Sequence, residues 1–322
     1  MRWPSKSSVG RVIHCTALVL AASASAAALA IVAGAPPDSP VARVDPNTTT
    51  SPWRGVVSID RQGNLYTGVI VGRRHVLTAA HVIDGSVPAS GYHVQVNLSD
   101  AGPVVIGVVA VTVNPSFGGL GVHDLALLQL EQDAPAEAVA YPMAAANPPI
   151  GTTFTLVGYG DSGTGDVGLT VGRSATVKRV GRNAFDYTSD GYNYYFDFDG
   201  PTASTNYMGG TTLGNTVETT LAAGDSGGPA FAVIGGVETV VGINAFVAYF
   251  SGGPSTPGTF GTGGGGSLVA PHRAWIDATM AASGVEGSPN ESDAPLPAWA
   301  SAVLAPALLL LLWRTRQEPP SI

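Results

Sequence analysis

The sequence has little cysteine and little charge. Its 322 residues include one cysteine, Cys15, and only 12% are charged. Cys15 lies in an apolar N-terminal segment, so a chain that has lost this segment contains no disulfide and depends on its hydrophobic core for stability. The formal net charge is −8. Because no basic cluster lies outside the termini, there is no basis for nucleic-acid binding, and peptides or proteins are the expected partners.

Glycine and proline are abundant, with 42 and 24 residues respectively. Together with short β-rich apolar runs they indicate an all-β fold made of many strands and turns. A helix is predicted over residues 271–283, where Pro271 stands at the start and Gly284 after the end. Strands are predicted near residues 56–59, 66–71, 92–98, 104–113, 125–130, 153–159, 170–180, 193–199, 229–234 and 239–247.

The hexapeptide at residues 224–229 reads Gly-Asp-Ser-Gly-Gly-Pro. Its glycines allow the backbone around Ser226 to approach a substrate carbonyl closely. The N–H groups of Gly224 and Ser226 are candidates for an oxyanion hole, which needs backbone donors aimed at one point. A serine hydroxyl is a weak nucleophile alone, so this bend predicts a histidine and a carboxylate elsewhere in the chain.

Two upstream motifs supply these groups. A Thr-Ala-Ala-His motif ends at His81, and an Asp-Leu-Ala-Leu-Leu motif begins at Asp124. In the order His81, Asp124, Ser226 the three motifs resemble those of the trypsin/chymotrypsin-like serine peptidases. The resemblance implies two packed six-stranded antiparallel β-barrels, with the active site between them and a C-terminal helix.

The same resemblance implies a serine endopeptidase. Ser226 would be the nucleophile, His81 the general base and Asp124 the carboxylate that orients it. No cofactor and no metal are expected. The alternative is an inactive binding or scaffold protein on the same fold.

The substrate pocket is also placed by resemblance. Thr220 stands six residues before Ser226, at the position where trypsin-like relatives carry an aspartate, so a neutral P1 residue is expected. Ala245 and Phe246 would run beside the substrate and pair with its backbone. Gly264, within a run of glycines, would line the pocket wall, although a flexible loop tip is the alternative for that run.

Asp225 raises the question of activation. In the resembled family this aspartate pairs with a new N-terminal amine made by cleavage, so a zymogen is expected. Cleavage after Ala30 would free Ile31, and the sequence that begins there partly matches the family's usual N-terminus. Cleavage after Arg43 would instead free Val44 and leave a shorter arm, and this second site is the preferred prediction.

The remaining segments are assigned by composition. The N-terminal segment has a basic head, an apolar stretch and a small-x-small site, which is typical of a secretory signal peptide, with an uncleaved anchor as the alternative. The assigned units are a signal peptide at 1–33, a disordered leader or propeptide at 34–52, a protease domain at 53–283, a linker at 284–297, a transmembrane or sorting helix at 298–313 and a basic tail at 314–322.

The C-terminal tail resembles the PEP-CTERM-type sorting tails of Gram-negative bacteria. Pro295-Leu296-Pro297 precedes an apolar run, which is followed by Arg314 and Arg316. The resemblance implies a protein that is held in the inner membrane until a sorting enzyme processes it. A simple membrane anchor is the alternative. Either reading predicts an exported protein of the cell envelope or the extracellular space.

Overall fold

The computed structural model describes residues 31–100 and 102–284. The predicted linker, apolar helix and basic tail, and most of the predicted signal peptide, lie outside these residues. The elements are β1 Val56–Arg61, β2 Asn64–Gly72, β3 His75–Thr78, β4 Tyr92–Val96, β5 Val104–Val113, β6 Ala126–Leu130, β7 Thr153–Gly158, β8 Ser162–Thr164, β9 Gly168–Val171, β10 Arg179–Ala184, β11 Asn193–Asp197, β12 Pro229–Ile234, β13 Val237–Tyr249, β14 Thr262–Leu268 and the helix α1 Arg273–Ala282.

The first unit is a closed antiparallel barrel with strand order β1-β2-β3-β6-β5-β4. Its strands alternate between core and solvent, as β4 shows, where Tyr92, Val94 and Val96 are buried and His93 is exposed. Apolar side chains fill the interior of the barrel. The prediction of a six-stranded barrel around the His81 and Asp124 motifs is confirmed.

The second unit is a six-stranded antiparallel sheet with order β10-β7-β12-β13-β14-β11. Its two end strands meet without a regular ladder. They are joined where Tyr187 and Tyr195 exchange backbone hydrogen bonds of 3.2 and 2.9 Å. The side-chain amide of Asn183 also donates to the carbonyl of Asp197 at 2.7 Å. The second unit is therefore a half-barrel, and the fold class is otherwise as predicted.

The glycine run forms the buried strand β14 and is not a loop tip. Aromatic rings from neighbouring strands occupy the space that side chains would need. A Cβ atom on Gly264 would lie 2.8 Å from the ring of Phe196, and one on Gly265 would lie 2.7 Å from the ring of Phe246. The low β-propensity of glycine hides this strand from sequence-based prediction.

The strand predicted over 170–180 is wrong. Strand β9 ends at Val171 and β10 begins only at Arg179. The connecting segment bonds to side chains of the first barrel, so it makes no strand ladder. The carbonyl of Ala175, for example, accepts a hydrogen bond from the side chain of Asn97 at 2.7 Å.

Residues 34–52 are not the disordered leader that their composition predicts. The ammonium group of Lys178 is buried and lies 3.4 Å from the carboxylate of Asp45. It also donates to the carbonyl of Trp53 at 2.7 Å. The same carboxylate accepts the hydroxyl of Ser51 at 2.6 Å. A buried charge thus orders a polar segment against the second unit.

The two units share a core, which fixes the cleft between them. This core includes Val69 and Leu127 from the first barrel and Phe231 and Val240 from the second unit. The helix α1 confirms the predicted C-terminal helix and buries one face, with Ile276 and Met280, in the same cluster. Packing across the cleft holds the facing strand ends at fixed positions.

Candidate active site

His81 and Asp124 lie at one edge of the first barrel. His81 sits in a short 3₁₀ turn that follows β3, and Asp124 lies just before β6 and is fully buried. The ring Nδ1 of His81 lies 2.8 Å from Asp124 Oδ2. The backbone N–H of His81 donates to Asp124 Oδ1 at 2.8 Å. Because a carboxylate only accepts hydrogen bonds, the Nδ1 atom carries the ring proton and Nε2 is free to accept one.

Ser226 comes from the second unit and meets this pair across the cleft. Its Oγ lies 2.9 Å from Nε2 of His81. The bend that presents Ser226 requires a glycine after it. Gly227 has a φ of +84°, and a Cβ atom there would lie 2.0 Å from the hydroxyl of Thr78. The predicted base, carboxylate and serine are thus joined in one chain of hydrogen bonds.

The backbone of the bend leaves two amides unused. The Ala223 carbonyl accepts the N–H of Asp161 at 2.8 Å, and the Asp225 carbonyl accepts the N–H of Gly228 at 2.9 Å. In a trans peptide the following N–H points the opposite way. The N–H groups of Gly224 and Ser226 therefore point away from these bonds, and neither has a partner among the residues that the structure describes. Both remain available as donors.

Asp225 is buried directly behind the bend. Its carboxylate accepts the N–H of Gly160 and the N–H of Ala222, each at 2.9 Å. It also accepts a backbone hydrogen bond from Ile31. Burial raises the pKa of Asp225 to about 7. The backbone next to this carboxylate is thus that of Ile31, and not that of Val44, which the sequence favoured.

Val44 is tied to the outside of the second unit. Its neighbour Arg43 accepts a backbone hydrogen bond from Val180 at 2.9 Å, and Asp45 donates one to Lys178 at 2.9 Å. Arg43 is further held by an ion pair with Asp38 at 2.6 Å. An N-terminus at Val44 would have to break these contacts to reach the interior.

A cleft of about 280 Å³ lies beside Ser226 and His81. Two of the predicted pocket residues, Ala245 and Phe246, line it. Gly264 lies behind the wall, where a Cβ atom would be 3.1 Å from Leu221. The lining side chains are Leu120, Leu221, Ala222, Ala223, Ala245, Phe246 and Val247 together with His81 and Ser226.

Thr220 does not line the cleft, which corrects its predicted role. The residue is fully buried, and its backbone pairs with Val32 through bonds of 3.0 and 3.3 Å. Because neighbouring residues of an extended segment point to opposite sides, Leu221 faces the cleft in its place. The pocket wall is thus apolar.

Comparison with known sequences decides the family. A sequence model of the trypsin family matches residues 41–262, more than half of the chain. The chain belongs to the trypsin family. No curated protein matches it.

The fold of this trypsin-family chain is similar to that of neuropsin, a serine protease expressed in the limbic system of mouse brain. The two share 20% sequence identity with a TM-score of 0.51, and the match covers 74% of this chain and 98% of neuropsin. At this identity the likeness supports the fold. Family and fold together indicate a serine-type peptidase, which is a hydrolase. The implied substrates are peptides or proteins.

Two supporting residues of this trypsin-family site were missed by sequence reasoning. Thr67 donates from its backbone to the carbonyl of Ser226 at 3.0 Å and from its hydroxyl to the carbonyl of Gly224 at 2.8 Å. Ser267 accepts the backbone N–H of Asp124 at 3.0 Å. A lone Thr in a strand and a lone Ser after glycines carry no sequence signal, because only the strand pairing brings them to the site.

Neither a metal site nor a membrane-spanning helix is seen in the described part of this trypsin-family chain. Between residues 31 and 284, leaving out residue 101, no three His, Cys, Asp or Glu residues are grouped so that they could hold a metal ion. Within the same residues no helix is long and apolar enough to cross a membrane. The predicted C-terminal tail lies beyond them.

Proposed function

We propose that the protein is an exported serine endopeptidase that cleaves peptide bonds through an acyl-enzyme. The hydrogen-bonded line from Asp124 through His81 to Ser226 is the observation that carries this proposal. Both of its bonds, at 2.8 and 2.9 Å, are within the range that general base catalysis needs. Asp124 is fully buried while His81 keeps part of its ring open to the cleft, so a substrate can reach the reacting atoms.

The arrangement supplies each proton transfer. Ser226 Oγ attacks the scissile carbonyl carbon while Nε2 of His81 takes the hydroxyl proton. The tetrahedral intermediate collapses when His81 returns this proton to the leaving amine. Water then attacks the acyl-enzyme, and the same two proton transfers release the acid and restore Ser226. Asp124 stabilises the imidazolium in both halves.

The developing oxyanion would be held by the N–H groups of Gly224 and Ser226. Both lack other partners in the described structure, so they are free for the substrate oxygen. Donors of this kind contribute roughly 3–4 kcal/mol each to the transition state. The bond from Thr67 to the Gly224 carbonyl holds the bend in place before substrate arrives, and such preorganisation is what makes the donors effective.

The pocket favours small or medium aliphatic P1 residues. Its wall carries no acidic side chain to pair with lysine or arginine and no lysine or arginine to pair with an acid. Leu221 is almost fully buried and lines the cleft beside Ser226. Burial of an aliphatic P1 side chain against Leu221, Ala245 and Val247 would supply the binding free energy.

A fluorophosphonate probe tests the proposed function. Purified, N-terminally processed protein should be labelled at Ser226, and labelling should disappear in Ser226→Ala and fall at least ~10³-fold in His81→Ala. A panel of peptide amides that differ only at P1 should then show faster cleavage after alanine or valine than after lysine or glutamate. Failure of every processed form to react would favour an inactive scaffold.

Export and anchoring belong to the same proposal. The basic head and the apolar run before residue 31 support export, and the Pro-Leu-Pro segment with its apolar run supports at least transient attachment to the inner membrane. The protein would then act in the cell envelope or outside the cell, with a sorting enzyme as a partner. Cell fractionation with and without residues 298–322 tests this: loss of the tail should release the protein from the membrane.

A further inference from the structure

A loop over residues 115–123 runs from the end of β5 to the catalytic carboxylate. Leu120 in this loop is one of the residues that line the substrate cleft, and it is 61% exposed. The backbone N–H of the next residue, Gly121, donates to Asp124 Oδ2 at 2.9 Å. Two neighbouring residues of one loop thus face the substrate cleft and the catalytic carboxylate.

Gly121 supplies a hydrogen bond that His81 does not supply. The Asp124 carboxylate accepts the ring Nδ1 proton and the backbone N–H of His81, each at 2.8 Å, and the N–H of Gly121. Because a carboxylate oxygen can accept two donors, Oδ2 holds His81 Nδ1 and Gly121 at the same time. Asp124 is fully buried, so the loss of one of these bonds is costly. Among the described residues, Gly121 is the donor that fixes this carboxylate independently of the ring it orients.

The fold of the loop sets the position of the Gly121 amide. The N–H of Gly118 donates to the carbonyl of Val122 at 3.1 Å, and the N–H of Val122 donates to the carbonyl of Gly119 at 2.9 Å. The φ of Gly121 is +74°, which glycine adopts without strain. A Cβ atom on Gly121 would lie 2.8 Å from the ring of Phe246, which lines the cleft. The amide is therefore held in a tight turn that packs directly on the cleft wall.

We propose that this loop couples substrate binding to the catalytic carboxylate. A substrate side chain that packs on Leu120 holds the loop in place and keeps the Gly121 N–H on Asp124. The fixed carboxylate then keeps the His81 ring in the orientation that accepts the proton of Ser226. Gly121 is a positioning residue, since its amide acts through Asp124. The inference deepens the proposed peptidase function and rests on it wherever turnover is the readout.

An exchange of one backbone group at Gly121 tests the positioning role. Glycolic acid in place of Gly121, introduced during cell-free translation of the full-length chain, replaces the N–H by an ester oxygen and changes no side chain. Glycolic acid in place of Gly119 is the matched control, because the N–H of Gly119 has no partner among the residues that the structure describes. In N-terminally processed protein we expect kcat to fall roughly 10- to 100-fold for the Gly121 ester, the loss of one hydrogen bond to a charged group. The Gly119 ester should keep the wild-type kcat.

The low-field proton NMR signal of His81 Nδ1 gives a readout that needs no turnover. The signal is identified by its absence in His81→Ala. It should broaden in the Gly121 ester, because a carboxylate that is held less firmly lets this proton exchange faster with water. The Gly119 ester should keep the wild-type signal. Equal kcat and equal signals for the two esters would overturn the proposal.

Side-chain variants then test the coupling. A residue that only binds substrate changes KM and leaves kcat unchanged when it is truncated. We expect Leu120→Ala to raise KM and also to lower kcat roughly 5- to 10-fold, the lower end of the range for coupled sites. The same substitution should cause no further loss of kcat in the Gly121 ester, where the coupling is already broken. Val122→Ala is the control, since Val122 lies in the same loop, is 47% exposed and is not among the described residues that line the cleft. It should change neither constant.

The outcomes separate this inference from the proposed function. A rise in KM alone for Leu120→Ala, or an equal loss of kcat for Val122→Ala, would overturn the inference even in an active enzyme. If no chain reacts with a fluorophosphonate but the His81 signal depends on the Gly121 N–H, the positioning role stands and the peptidase proposal fails. The two alanine variants leave the backbone unchanged, so their comparison remains decisive if the Gly121 ester does not fold.

Discussion

The two units that form the cleft differ in what they bury. Among the described residues of β1 to β6 and their connections, the first barrel buries one carboxylate, Asp124, and fills its interior with apolar side chains. The second unit, with the arm before it, buries a set of charged residues: Asp45, Lys178, Arg179, Asp186, Asp197, Asp199, Glu218 and Asp225. Burial of charge is costly unless each group is paired.

This difference assigns different tasks to the units. The first barrel holds His81 and Asp124 in a rigid frame whose stability comes from apolar packing. The second unit holds Ser226 in a frame that contains several buried carboxylates. Burial raises the pKa of Asp199 to about 6, of Glu218 to about 7 and of Asp225 to about 7. The nucleophile therefore sits in the part of the molecule whose stability is expected to depend on pH.

The largest expected effect comes from the one carboxylate that the first barrel buries. Asp124→Asn keeps the size of the side chain, but an amide NH₂ cannot accept the proton of His81 Nδ1, so the ring is no longer held in the useful tautomer. We expect kcat/KM to fall by roughly 10⁴-fold, the size of effect that such a change has in serine proteases. Initial rates on the best P1 substrate measure it.

Asp133→Asn is the matched control, since it removes the same charge from the surface of the same barrel. It should leave kcat/KM unchanged. A fall of less than 10-fold for Asp124→Asn in folded protein, shown by an unchanged circular dichroism spectrum, would contradict the assigned role of Asp124.

Sequence reasoning succeeded where the information is local. His81, Asp124 and Ser226 each sit in a short motif, and the apolar alternation of strand β4 is visible from its period alone. It failed where partners distant in sequence decide the outcome. Strand β14 consists largely of glycines because the Phe196 and Phe246 rings fill its side-chain space, and residues 34–52 are ordered by Lys178.

The same limit explains why sequence reasoning named Thr220 for the pocket and Val44 for the N-terminus. The choice between Thr220 and Leu221 depends on which way an extended segment turns its side chains. The choice between Ile31 and Val44 depends on which residue lies next to Asp225. Neither of these facts can be read from composition or spacing, because a shift of one residue along an extended segment exchanges the buried and exposed faces.

The second-largest expected effect concerns Asp186, one of the residues that the second unit buries. Burial, together with the neighbouring Asp197, raises the pKa of Asp186 from its ordinary value of 3.8 to about 8. Between these two values the unfolded chain releases a proton that the folded chain keeps. The stability from neutral Asp186 is therefore present below about pH 4 and is lost as the pH rises towards 8.

Asp186→Asn should reduce this pH dependence. The amide is neutral at every pH and can donate to Asp197, so we expect Tm at pH 8 to rise by several degrees and Tm at pH 4.5 to change little. A slope will remain, since Asp199, Glu218 and Asp225 also have raised pKa values. Thermal melts from pH 4.5 to 8.5 measure the effect, with exposed Asp166→Asn as the control. Parallel Tm curves for wild type and Asp186→Asn would refute it.

The smallest expected effect is at the surface of the first barrel. Asp133 pairs with Arg74 at 2.6 Å and also with Arg73, whose side chain is 70% exposed. The hydrogen bonds from Arg74 and Arg73 lower the pKa of Asp133, so any stabilisation exists above the ordinary pKa and is lost in acid. Water and salt screen such pairs, and we expect Asp133→Asn to change Tm by less than about 2 °C at pH 7 and by even less in 1 M NaCl. A larger loss would mean that charge supports the first barrel as it does the second unit, and the contrast between the two would fail.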